Sequence, residues 1–172
     1  MIDLTSTPII ILVILGSVGV ALPVVSIALK ERPSMISYGI ATLIALFAAI
    51  GYVLYQLALD HVAPAAIFSQ DVLVDDAFGA LFAIAMLIVA IFTTVGSFSY
   101  MKNKANPSVY FSLILLSAIG MVLVAYATDL VMLFVAWELM SIPTYILVGF
   151  LKKDPISNEA AIKYFLFGAL SS

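Results

Sequence analysis

The residue best placed to do chemistry is Glu138. It stands in the run Ala136-Trp137-Glu138-Leu139-Met140, near the middle of the apolar stretch Leu130–Leu151. A charge at the centre of a spanning helix costs about 2.5–3.5 kcal/mol on insertion scales. Such groups usually face a protein interior or a water-filled cavity. Glu138 is therefore expected to be either protonated or paired with a cation, and so able to take up and release a proton. The competing reading is a neutral glutamic acid that only hydrogen-bonds between helices.

Other residues nearby could shape or line a path at Glu138. Pro143 has no backbone N–H to give, so the carbonyl of Leu139 loses its usual partner and a kink or local widening is expected. Ser141 and Thr144 are within reach of that freed carbonyl. Helical spacing puts Glu138 on one face with Phe134, Val135, Ser141, Ile142 and Tyr145, of which Ser141 and Tyr145 supply polar lining. Lys163 either snorkels to the membrane surface or points inward and polarises a proton path. Asp129 is expected as a helix cap. His61 is expected in an exposed loop. The group Asp71, Asp75 and Asp76 could attract cations, but the expected reading is a solvated acidic loop.

The elements that must position these residues follow from composition. The chain has 172 residues, of which 65% are apolar and only 10% charged, with seven basic residues against ten acidic. Mean hydropathy is +1.23. These values exclude a soluble domain, a disordered chain and a nucleic-acid-binding protein. With no cysteine and one histidine, the chain offers no thiolate cluster, no cysteine nucleophile and no pair of haem ligands. Redox chemistry is expected on partner chains.

Five stretches are long enough to cross a bilayer: Pro8–Leu29, Met35–Leu59, Ala77–Phe98, Val109–Ala127 and Leu130–Leu151. The first four carry no charge and the fifth carries only Glu138. A sixth apolar stretch runs from Ala160 to Ser172 and falls short of the roughly 17 residues that a crossing requires. The expected fold is an all-α, multi-pass membrane protein of five complete helices and a truncated sixth.

Charge sorting sets the expected topology. Lys30 and Arg32, Lys102 and Lys104, and Lys152 and Lys153 fall in alternate connections, and Lys163 joins them. Asp3, Asp60, Asp71, Asp75, Asp76 and Asp129 fall on the other side. The positive-inside rule makes the basic side cytoplasmic and the N-terminus external. Met1–Thr7 carries Asp3 and no basic side chain, so the first span is expected as an uncleaved helix rather than a signal peptide. Tyr38, Tyr55, Tyr100, Tyr110, Tyr126 and Tyr164 lie near span ends, where an interfacial aromatic belt is expected. Ala41, Ala45 and Ala49, and Gly79 and Ala83, have the spacing that lets helices approach closely.

Four blocks of sequence go further. They are Leu115–Met121 (Leu-Leu-Ser-Ala-Ile-Gly-Met), Ala127–Leu130 (Ala-Thr-Asp-Leu), Trp137–Tyr145 (Trp-Glu-Leu-Met-Ser-Ile-Pro-Thr-Tyr) and Ser157–Leu170 (Ser-Asn-Glu-Ala-Ala-Ile-Lys-Tyr-Phe-Leu-Phe-Gly-Ala-Leu). Together they make Tyr110–Ser172 resemble the N-type antiporter-like subunit of respiratory complex I, the relative of mitochondrial NADH dehydrogenase subunit two. Related subunits occur in archaeal dehydrogenases that oxidise reduced deazaflavin and in multisubunit sodium/proton antiporters.

The resemblance implies a proton-translocating, non-redox subunit in the membrane arm of a complex-I-like dehydrogenase. Glu138 matches the family's central glutamate and Lys163 a lysine in the following helix. The resemblance further implies flavin, iron–sulfur clusters and quinone on partner subunits, and a bacterial or archaeal energy-coupling membrane. Residues 1–108 are expected as a peripheral three-helix segment and residues 109–172 as the start of the first antiporter-like repeat. Family members are longer, with two inverted repeats, so the chain is expected to be an N-terminal portion. The alternatives are a subunit of a cation/proton antiporter without a redox partner, and a structural membrane scaffold.

Overall fold

A computed structural model describes residues 6–29, 34–59, 72–102 and 104–171. Six helices follow one another: α1 (Thr7–Ala28), α2 (Met35–Ala58), α3 (Ala77–Tyr100), α4 (Pro107–Tyr126), α5 (Leu130–Val148) and α6 (Pro155–Ser171). The first five are long and apolar enough to cross a membrane, and the chain is a multi-pass integral membrane protein.

Local chemistry sets the helix ends. The Ser34 hydroxyl accepts from the Ser37 amide at the start of α2. Asp76 accepts from Gly79 N at 2.7 Å at the start of α3. Asp129 accepts from Val131 N and Met132 N at 3.0 and 3.3 Å at the start of α5, so the expected cap is present. Pro107 opens α4, where a missing N–H costs nothing. Asn106 before it takes the left-handed conformation at φ 57°, which asparagine tolerates better than most residues.

Helix α4 is the hub and packs against α1, α2, α3 and α5. It is buried on several sides, with Phe111, Leu115, Ala118 and Val122 at 1% exposure or less. Close approach is built from small residues. Gly19 of α1 lies where a Cβ would stand 3.6 Å from the Leu115 Cβ, and its carbonyl accepts from Ser112 Oγ. Of the small residues spaced four apart, Ala45, Ala49, Gly79 and Ala83 are buried, Gly79 against Tyr126 and Ala125 of α4, while Ala41 is only partly buried. The outer faces are apolar and exposed, as at Phe92, Phe167 and Leu170, which suits lipid rather than water.

The six helices alternate in direction. The start of α1, the start of α3 and the α4–α5 turn meet at one end. There Thr7 N donates to Asp75 Oδ2 at 2.8 Å. Val74 N donates to the Tyr126 carbonyl and Thr128 N to the Val72 carbonyl, and Leu73 bridges Ala127 antiparallel. The opposite end carries Lys102, Lys104, Lys152 and Lys153. Charge sorting therefore holds among the described residues. Asp3, Lys30, Arg32, Asp60, His61 and Asp71 lie outside them.

Three expectations need correction. Asp75 and Asp76 are not merely a solvated acidic loop: they cap α1 and α3, where a carboxylate meets the positive end of the helix dipole. Tyr38 and Tyr126 are not interfacial, at 3% and 1% exposure. The Tyr126 ring fills the space at Gly79, where a Cβ would lie 2.7 Å from its Cδ1. Helix α6 begins at Pro155, five residues before the apolar run at Ala160. Asp154 accepts from Ile156 N at 3.1 Å and starts the helix, whereas hydropathy marks only where apolar side chains begin.

Candidate functional site

Glu138 lies eight residues after Leu130 and ten before Val148, at the centre of α5. It is half-buried. It makes no hydrogen bond or ion pair with any described residue. Lys163 does not reach it: its ammonium pairs with Glu159 of its own helix at 2.6 Å, and both side chains are exposed.

The backbone beside Glu138 is held by α4. Gly120 packs against the main chain of Leu139 and Met140, and a Cβ there would stand 2.6 Å from the Met140 Cα. Ser117 Oγ donates to the Met140 carbonyl at 3.1 Å. The α4–α5 contact is thus backbone to backbone at the residues that follow Glu138. Pro143 sits inside α5 and is buried. Its ring removes the N–H that would reach the Leu139 carbonyl, yet the helix continues through it. The Thr144 hydroxyl bonds the Ser141 carbonyl at 2.7 Å rather than the freed Leu139 carbonyl.

A cavity of about 290 Å³ lies between α3, α4, α5 and the side chain of Tyr164 from α6. Five hydroxyls line it: Thr93, Ser117, Ser141, Thr144 and Tyr164. The Thr144 oxygen stands 3.5 Å from that of Tyr164. The remaining lining is apolar, including Val89, Ile114, Met121 and Leu147. Hydroxyls both donate and accept, so a mid-membrane space of this kind can order water.

The structure divides the residues that spacing put on one face. Ser141 lines the hydroxyl cavity. Tyr145 instead packs edge-on against Tyr164 and Phe165 of α6, with ring centroids 5.0 and 5.6 Å away. Phe134, Val135 and Ile142 are exposed at 50% or more, and the half-buried Glu138 is not among the residues lining the cavity. Thr93, Ser117, Tyr164 and Gly120 went unread in the sequence as site residues. Their only signal was a hydroxyl or glycine within a mostly apolar helix.

The chain is similar to known membrane proteins in sequence and in fold. Residues 127–172 match the family described as NADH:quinone oxidoreductase/Mrp antiporter, transmembrane. The chain is 34% identical over 161 residues to NADH-quinone oxidoreductase subunit N 1 of Solibacter usitatus, covering 93% of this chain and 32% of that protein. Over most of its own length, 161 residues, the chain is therefore similar to about a third of an N-type subunit. A second N-type relative, F(420)H(2) dehydrogenase subunit N of Methanosarcina mazei, is 38% identical over 106 residues, 62% of this chain and 21% of that protein. The fold matches a chain of respiratory complex I from Thermus thermophilus with bound aureothin, at a TM-score of 0.71 and 28% identity, over 93% of this chain and 33% of that one. The chain spans only about a sixth to a third of the length of the curated relatives it matches.

Proposed function

We propose that the chain is part of a proton-translocating, non-redox membrane subunit of a complex-I-like dehydrogenase. The observation that carries this reading is Glu138: a carboxylate with no ion-pair partner among the described residues, central in a spanning helix of a chain with N-type relatives. Glu138 alternates between a proton-bearing form and a form paired with a cation outside the described residues. Ser141 and the other cavity hydroxyls order water near it. Tyr145 and Pro143 set the local shape of α5, and Lys163 adds positive charge to the path when its pairing with Glu159 is released.

Flavin, iron–sulfur clusters and quinone belong, in this reading, to partner subunits. The partners of this chain are the other membrane-arm subunits and the surrounding lipid. The basic end faces the cytoplasm, and α1–α3 form a scaffold for the antiporter-like part that starts with α4.

The test is Glu138→Gln in the complete subunit, in assembled complex reconstituted into vesicles. Fewer protons moved per electron at preserved electron transfer supports the assignment. Full proton stoichiometry overturns it. Co-purification of flavin and iron–sulfur proteins with the subunit separates a dehydrogenase from an antiporter that has no redox partner.

A further inference from the structure

The basic end of the bundle contains a second cavity, far along α5 from Glu138. It is a cleft of about 760 Å³ between the start of α4 and the α5–α6 connection. Its inner wall is apolar: Val109, Ile146, Phe150 and Leu151. Lys152 and Lys153 line it as well, both exposed. The cleft is therefore layered, with apolar surface next to the helices and positive charge at their ends.

Among the described residues, no charge compensates these lysines. Asp154 also lines the cleft, but one of its oxygens accepts from Ile156 N at the start of α6, where the helix dipole partly neutralises it. Neither Lys152 nor Lys153 forms an ion pair with a described residue. Lys104 is occupied differently, with its ammonium 3.3 Å from the Tyr100 ring centroid. Lys102 does not line the cleft.

A ligand that matches this layering has an anionic head and an apolar body, and it must be found at the end of a spanning helix. A phospholipid with a net negative headgroup meets all three conditions, and basic pockets between transmembrane helices are where such headgroups bind. We infer that this cleft is a binding site for an anionic glycerophospholipid. Lys152 and Lys153 hold its phosphate, and Val109, Ile146, Phe150 and Leu151 pack against its glycerol and upper acyl chains. The lipid would wedge the start of α4 against the end of α5, the two helices that position Glu138.

The experiment uses the purified chain in non-ionic detergent, with native mass spectrometry of retained lipid. Phosphatidylglycerol and phosphatidylcholine with identical acyl chains are offered in turn. Preferential retention of phosphatidylglycerol is expected, with a loss of about fivefold in affinity for each lysine removed in Lys152→Gln and Lys153→Gln. The double variant Lys102→Gln/Lys104→Gln should keep the preference. Equal retention of the two lipids overturns the inference. So does an equal loss in the double variants Lys152→Gln/Lys153→Gln and Lys102→Gln/Lys104→Gln, which would mean a diffuse attraction to the whole basic face. Displacement by inorganic phosphate alone would make the site a phosphate site and also overturn it. All four lysines lie outside the hydrophobic core, and circular dichroism of each variant checks that the helices remain.

Discussion

The hydroxyl of Ser117 on α4 donates 3.1 Å to the main-chain carbonyl of Met140 on α5, two residues past Glu138. Ser117 is 5% exposed, so this bond is made away from bulk solvent. It supports the α5 backbone one residue beyond the carbonyl that Pro143 leaves without its helical donor. The same hydroxyl lines the mid-membrane cavity, so one side chain joins helix packing to the polar space.

Ser117→Ala should therefore lower stability modestly, by about 0.5–1.5 kcal/mol. The helix content should stay the same. Reversible unfolding of the purified chain in detergent would measure it. A larger effect on proton transport than on stability is expected in the complete subunit, because the cavity loses a hydroxyl. Unchanged stability would mean that the bond contributes nothing net.

Gly120→Ala should be worse than Ser117→Ala. The added Cβ meets main-chain atoms of Leu139 and Met140, which cannot rotate away as a side chain can. Separating α4 from α5 should cost about 1–3 kcal/mol, the usual range for overpacking. Gly51→Ala is the control: nothing lies within 4 Å of a Cβ there. That substitution in α2 should be neutral or stabilising by up to about 1 kcal/mol, since alanine is the better helix residue. Equal effects at the two glycines would show that the α4–α5 approach is not tight in solution.

The spans were readable because hydropathy is a local property: a charge-free run of sufficient length has one outcome in a bilayer. Asp129 was readable for the same reason, since a cap bonds amides two and three residues away. Asp75 was not, because the amide it accepts from belongs to Thr7, 68 residues earlier. Tyr126 looked interfacial from its place at a helix end, and only the Gly79 surface brought to it by α3 buries it. The hydroxyl cavity was hidden in the same way. Thr93, Ser117 and Ser141 sit on three different helices, and crossing geometry alone makes them neighbours. Glu138 itself was legible because a single carboxylate in a charge-free span stands out without any tertiary knowledge.

Glu138→Leu separates function from stability at that position. The carboxylate has no described partner to lose, so its removal should not destabilise the chain. Membrane insertion of the isolated α5 segment should improve, toward the roughly 2.5–3.5 kcal/mol that central charges cost on insertion scales. Proton transport by the complete subunit should be lost. A fall in the unfolding midpoint of this chain would show instead that Glu138 holds a structural contact.

The two acidic caps at the far end of the bundle should respond differently to truncation. Asp129→Ala removes the acceptor for Val131 N and Met132 N, a local loss of about 0.5–2 kcal/mol confined to the start of α5. Asp75→Ala removes the acceptor for Thr7 N, and with it a tie between the segment before α3 and the start of α1. Its local cost is in the same range, but its effect should spread. Hydrogen exchange should speed up at the α1 N-terminus and in residues 72–74, where Val74 N and the Val72 carbonyl bond the α4–α5 turn. For Asp129→Ala the faster exchange should stop within the first turn of α5. The two sites share no partner, so the double variant should lose about the sum of the single losses. Strong non-additivity would mean that the three helix ends melt as one unit.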